Sequence, residues 1–225
     1  MKRIHPLLII LIFLSLGCLY AQDQVAVVIK VRGIVKITPS KSTQSRQVKK
    51  GEVLKDGDKL ETGAGAYCAI KFLDDKSLLR IKEKSVCVIE GKREEDKIEK
   101  NIFVEIGSFF ASLFKPKGSF RVTTPTSVAS VKGTQFWVVQ FGQSGETHVI
   151  CLDGVVEVKN NAGKVLVGAG QTAIVTSRNR MPTVQLTRDG EIPSDDEDSG
   201  GSRTLDIEFQ NSNGETKTLR IEVQE

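Results

Sequence analysis

Few residues of this 225-residue chain are suited to chemistry, and their spacing argues against most of it. His148 stands in Thr147-His148-Val149-Ile150-Cys151, three residues from Cys151. On a strand an odd separation puts two side chains on opposite faces, so this pair cannot share a metal from one strand. Gly142-Gln143-Ser144-Gly145 lacks the spacing of a nucleophile elbow and reads as a hairpin turn. The acids Asp74-Asp75 and Asp195-Asp196-Glu197-Asp198 lack the alternating oxygens and glycine of a calcium loop. They read as a turn and a solvated linker. No feature promotes a carboxylate pair for glycoside cleavage. The expectation is therefore a protein without a catalytic site, metal or cofactor. Beyond Cys18, the cysteines are Cys68, Cys87 and Cys151, an odd count. Cys68 and Cys87 could pair across neighbouring strands in an oxidising compartment; otherwise all three are small buried hydrophobes.

The elements that would position these residues begin after a leader. Met1-Lys2-Arg3 precedes an apolar run from Leu7 to Leu16 broken only by Ser15, the pattern of a secretory signal over 1–21. Leu19-Tyr20-Ala21 offers a small residue for cleavage before Gln22. Gly17-Cys18 offers a lipidation cysteine instead, although Leu14 and Leu16 fit that motif poorly. Simple cleavage is favoured, and either route takes the chain out of the cytoplasm. No later segment is apolar for long enough to span a membrane as a helix. Charge is divided unevenly. Asp189 to Glu225 carries eleven acids and three bases, net −8, whereas residues 22–188 carry net +10. A basic body favours anionic partners such as lipopolysaccharide phosphates or acidic polymers. Without a basic-aromatic array, an exported chain is a poor candidate for nucleic acid.

The body, 22–182, reads as short alternating strands in an all-β fold of two packed sheets or a short β-roll. Tyr67 to Leu73 and Leu78 to Ile81 flank a polar tip, a predicted hairpin. Gly91 to Lys97 reads as a solvated loop. Val31-Arg32-Gly33-Ile34-Val35-Lys36-Ile37 is weakly echoed by Leu152-Asp153-Gly154-Val155-Val156-Glu157-Val158. Each is followed by a second glycine element, Val53 to Asp58 and Val165 to Gly170, which suggests two similar strand-turn-strand units. Residues 183–202 read as an acidic flexible linker. Over 203–225, strict alternation on both sides of Asn213-Gly214 predicts a β-hairpin that needs a surface to lie on, its own body before a partner's sheet.

The most distinctive segment runs from Phe120 to Phe136 and contains Thr124-Pro125 and, six residues later, Val131-Lys132-Gly133-Thr134. Pro125 removes a ladder donor and forces Thr124 to be extended. Gly133 suggests a bulge or a close backbone approach, so Gly133→Val should destabilise the domain. This segment resembles the signature of the FecR-domain family, a Thr-Pro followed by Val-Arg-Gly-Thr. With flanking matches such as Gly57-Asp58, Leu152-Asp153-Gly154 and Gly168-Ala169-Gly170-Gln171, the resemblance covers about Val31 to Val175. One departure is Lys132, where the family commonly has arginine; lysine cannot make the forked two-point bond of a guanidinium. The resemblance implies an extracytoplasmic sensing or binding domain, named after a regulator of iron-citrate uptake that controls a sigma factor. That regulator combines its periplasmic domain with a membrane span and a cytoplasmic segment, and this sequence shows neither. The expectation is a non-catalytic recognition module of the periplasm or outer surface with a protein or glycan partner. The alternative is a periplasmic component of a FecR-type signalling system.

Overall fold

The structure is a computed structural model that describes residues 24–194, 203–210 and 216–223. The leader, Cys18 and the Asn213-Gly214 turn lie outside the described residues. The first strands are β1 (Gln24–Arg32), β2 (Val35–Thr38), β3 (Arg46–Gln47), β4 (Val53–Lys55), β5 (Asp58–Thr62), β6 (Tyr67–Phe72), β7 (Leu78–Ile81) and β8 (Val86–Glu94). A long β9 (Lys97–Ser112) leads to β10 (Phe120–Thr123), β11 (Val128–Val131), β12 (Gln135–Gln140) and β13 (Thr147–Asp153). The body closes with β14 (Val155–Asn160), β15 (Gly163–Gly168), β16 (Gln171–Val175) and β17 (Thr183–Leu186). Residues 190–225 form a second unit that contains the antiparallel pair β18 (Arg203–Gln210) and β19 (Thr216–Val223).

These seventeen body strands form one hydrogen-bonded sheet folded into two layers. Layer A runs β4-β1-β6-β7-β9-β12-β13-β16-β17. Layer B runs β3-β2-β5-β8-β9-β10-β11-β14-β15. Strand β9 belongs to both. Its first half pairs with β8 and, in parallel, with β10; its second half pairs with β7 and β12. The changeover falls at Gly107, whose φ of 101° and proximity to Ser85 exclude a side chain: a Cβ there would stand 2.4 Å from Ser85 Cα.

Alternation along each strand fills the space between the layers. Ile70 and Phe72, Leu79 and Ile81, Phe136 and Val138 face inward from layer A; Leu60, Ile89, Ile102 and Val122 face them from layer B. Phe72, Phe120, Phe136 and Phe109 meet edge-on in series, with centroids 5.9 to 6.4 Å apart. Trp137, on the opposite side of β12 from Phe136, packs with Phe110 and Ile150 in a separate cluster, and the Arg80 guanidinium lies 5.3 Å from the Phe110 centroid.

Three sequence expectations change here. The loop expected over Gly91–Lys97 is mostly strand, because β8 and β9 stay paired to Glu94↔Lys97. Its charges alternate outward as Lys92–Glu94 and Lys97–Glu99 ion pairs, while Gly91 tucks under Val25. The linker expected from 183 begins with β17, which pairs with β16; the composition changes at Asp189, not at Pro182. The internal echo holds in part. Gly33 and Gly154 both turn the chain from layer A to layer B, but Gly57 leads from A to B and Gly170 from B to A.

Candidate functional site

The signature segment is a hairpin and a crossover. Strands β10 and β11 pair from Phe120↔Val131 to Thr123↔Val128 in layer B, and the turn at 132–134 carries the chain to β12 in layer A. The two motifs therefore sit at opposite ends of β11.

At the Thr-Pro end the Thr124 amide donates to the Ser127 carbonyl at 2.8 Å, and the Ser127 amide donates to Thr124 Oγ1 at 3.1 Å. Pro125, which has no amide hydrogen, occupies the turn position where none is needed. The hydroxyls then reach across to layer A. Thr147 Oγ1 donates to Gln140 Oε1 at 2.5 Å, which commits its proton. Thr124 and Thr126 therefore donate to Thr147, at 3.0 and 2.7 Å. All four side chains are buried, and the network clips the layer B hairpin onto the β12–β13 hairpin.

Beside this turn lies an open recess of about 250 Å³ lined by Thr123, Pro125, Lys159, Asn160, Asn161 and Arg178 among others. Arg178 Nε donates to the Pro125 carbonyl. Asn160 Nδ2 donates to the carbonyls of Ser177 and Arg180, at 3.0 and 2.6 Å. Lys159 is exposed and makes no ion pair among the described residues. Amides, hydroxyls and two cations around a shallow hollow suit an anionic or hydroxyl-rich ligand.

At the other end, Thr134 accepts the Leu113 amide at 2.9 Å, and Gly154 packs so closely that a Cβ would stand 2.9 Å from the Gly133 carbonyl oxygen. Lys132 is exposed and forms no ion pair among the described residues, so backbone contacts, not a guanidinium, join these loops. Gly133 has φ 65°, and its nearest prospective contact is 3.8 Å away. It lies in a turn and meets a conformational need, in place of the expected bulge or close approach.

Sequence reasoning overlooked Lys100. Its side chain is fully buried, and Nζ donates to Asp74 Oδ2 and Asp75 Oδ2, both at 2.7 Å. The ammonium also donates to the carbonyls of Lys117 at 2.9 Å and Ile98 at 3.1 Å, and sits 5.5 Å from the Phe72 centroid. This hub ties the β6–β7 turn, β9 and the 113–119 loop together. The acid pair considered for calcium is thus engaged by an internal cation. For Asp75, burial alone would raise the carboxyl pKa; the Lys100 bond, with the Ser77 amide, outweighs it and holds the group below the ordinary range. The signal was present: Ile98, Lys100, Ile102 and Val104 share the inward register.

Cys68 and Cys87 are free, buried thiols on β6 of layer A and β8 of layer B, not on neighbouring strands. Burial pushes Cys68 up to about 12 and raises Cys87 further. Cys151 is buried and free as well. His148 points to the other side of β13, beside Phe141, with Nε2 bonded to Glu146. Among the described residues no group of three His, Cys, Asp or Glu could hold a metal ion, and no helix is long and apolar enough to cross a membrane.

A helix-free, two-layer body whose buried polar groups fix its own loops is a β scaffold, with an open recess at one end. Residues 58–157, from β5 into β14, match the family model described as FecR protein. Among solved structures, two crystal structures of a "putative anti-sigma factor" from Parabacteroides distasonis share 18% identity, with TM-scores of 0.47 and 0.49. Each alignment covers 57% of this chain and 59% of that one. No curated protein matches the chain.

Proposed function

We propose that the chain is an exported, non-enzymatic recognition component of a FecR-type regulatory system at the cell surface, acting by contact with a protein partner. The observation that carries this reading is the FecR match over residues 58–157, a stretch that contains both signature turns, the hydroxyl clip and Lys100. The placement of buried polar groups supports it. The hydroxyls of Thr124, Thr126 and Thr147 bond one another, and Lys100 faces Asp74 and Asp75, so the loops are preorganised. Preorganised loops bind a partner without a large ordering cost. A photoreactive residue at position 159, beside the recess, tests the proposal in intact cells. A protein adduct, together with altered transcription of a discrete gene set when the chain is deleted, is the expected result. Unchanged transcription with no protein adduct overturns it.

The net charge of +10 over residues 22–188 and the cations at the recess favour a second reading, capture of an anionic envelope glycan. Salt-sensitive binding of lipopolysaccharide that Lys159→Glu abolishes is its expected signature; binding unaffected by salt or by that substitution counts against it.

A further inference from the structure

Phe114 is 88% exposed, more than any other large apolar residue among those described. Its loop is not loose. The Leu113 amide donates to Thr134 on one side; on the other, the Lys117 carbonyl accepts from buried Lys100 and the Lys117 amide donates to Asp75 at 2.9 Å. The Ser119 amide donates to Glu99 at 2.9 Å. A phenylalanine on a flexible loop would fold back onto the body, whereas this frame holds the ring out in water. The same rim carries other exposed apolar groups, Leu73 in the β6–β7 turn and Val155 after the Gly154 corner, 42% and 51% exposed.

Charges of both signs line this rim: four exposed lysines stand beside Asp96, Asp153 and Glu99, the last held by the Ser119 amide. Lys115 Nζ lies 5.7 Å from the Phe114 centroid, Lys76 and Lys132 are exposed in the neighbouring turns, and Lys117 pairs with Asp96 at 3.0 Å. Asp153 is exposed close by, while Asp74 and Asp75 are buried against Lys100. An exposed aromatic ring with ammonium groups beside it matches one surface chemically. The ring enters the boundary between headgroups and acyl chains, and the lysines reach lipid phosphates. A protein partner would require a broad matched face of roughly 800 Å² per side, and a single projecting finger does not provide one.

We propose that Phe114 and the lysines around it form a tip that seats this end of the β body in an anionic lipid surface. The tip is independent of the signalling reading and stands or falls without it. It orients the domain: one ring with a few lysines gives weak, reversible attachment, far short of an anchor.

Phe114→Trp in the full chain tests the proposal, since this site is open to water and tolerates the larger ring. Buried Trp137 is a constant background, and the difference from the parent chain isolates position 114 even if other segments bind lipid. Vesicles of phosphatidylglycerol and phosphatidylethanolamine should shift the emission of the introduced indole to the blue, and lipids brominated near the headgroup should quench it. Lys115→Glu with Lys132→Glu should weaken that partition at least about thirtyfold. The absence of shift and quenching at position 114 overturns the proposal. Equal quenching in neutral phosphatidylcholine overturns the role of the lysines, and a shift produced by added envelope protein without lipid overturns the lipid assignment.

Discussion

Replacing Lys100 by methionine removes the ammonium while retaining most of the side-chain volume next to Phe72. Asp74 and Asp75, with side chains 0% and 1% exposed, would then share one buried site without their cation. Removing one partner of a buried ion pair costs about 3–5 kcal/mol, chiefly through the stranded charge. Part of that cost is offset here. Asp74 still accepts the Ile98 amide, Asp75 still accepts the amides of Ser77 and Lys117, and the methionine packs against Phe72. About 3 kcal/mol at pH 7 remains, which for a body of this size lowers Tm by about 6–12 °C.

The pH dependence separates this mechanism from simple loss of packing. The folded Asp75 pKa is depressed, so its contribution to the parent chain is present above the ordinary carboxylate pKa of about 4 and is lost as pH falls through the folded value. In Lys100→Met the Asp75 carboxylate has lost its counter-charge and takes up a proton at higher pH than before. The gap between parent and variant therefore narrows from pH 7 towards pH 4. Urea unfolding followed by Trp137 fluorescence at several pH values measures it, with Asp74→Asn/Asp75→Asn/Lys100→Met as the control that recovers part of the loss. A pH 7 difference below about 0.5 kcal/mol, or one that does not change with pH, would refute the reasoning.

Three further outcomes follow from the geometry. Gly107→Ala should destabilise by more than about 2 kcal/mol and exceed Gly133→Val, because Gly107 combines positive φ with the Ser85 backbone, whereas Gly133 demands φ alone, about 1–2 kcal/mol; the reverse order in thermal melts contradicts this. Thr147→Val should cost about 1–3 kcal/mol by stranding the hydroxyls of Thr124 and Thr126 with Gln140, and hydrogen exchange should quicken at the β10–β11 turn before elsewhere. Cys68 and Cys87 should resist a thiol reagent at pH 8 until urea unfolds the body, since burial keeps both protonated; rapid labelling of the native chain would show an opening that these layers do not have.

What could be read from the sequence was whatever alternation encodes. The β6–β7 hairpin and the 142–145 turn followed from turn residues between alternating runs, and the opposed faces of His148 and Cys151 from period two alone. Strand β8 beyond Gly91 was missed because its outward residues are Lys92 and Glu94, and the inward position opposite Val25 is a glycine, so no apolar residue marks the register. Lys100 was missed for a related reason. Its partners lie 25 and 26 residues away on another turn, and only the fold brings them together. The Thr147–Gln140 clip was equally hidden, since hydroxyl networks leave no periodic trace.

The signature also fixes a distance. Strand β11 has four residues, so the Thr-Pro turn and the Lys132-Gly133-Thr134 turn stand about 13 Å apart along it, at opposite ends of the two layers. The recess by Lys159 belongs to the first end and Phe114 to the second. A small ligand cannot touch both. If lipid occupies the Phe114 end, the recess is left facing away from the surface, where a partner can reach it. A chain that carries Phe114→Ser should then keep its affinity for a recess ligand while losing its orientation on vesicles, and Lys159→Glu should do the opposite. Loss of both properties in either variant would mean that the two ends are not separate sites.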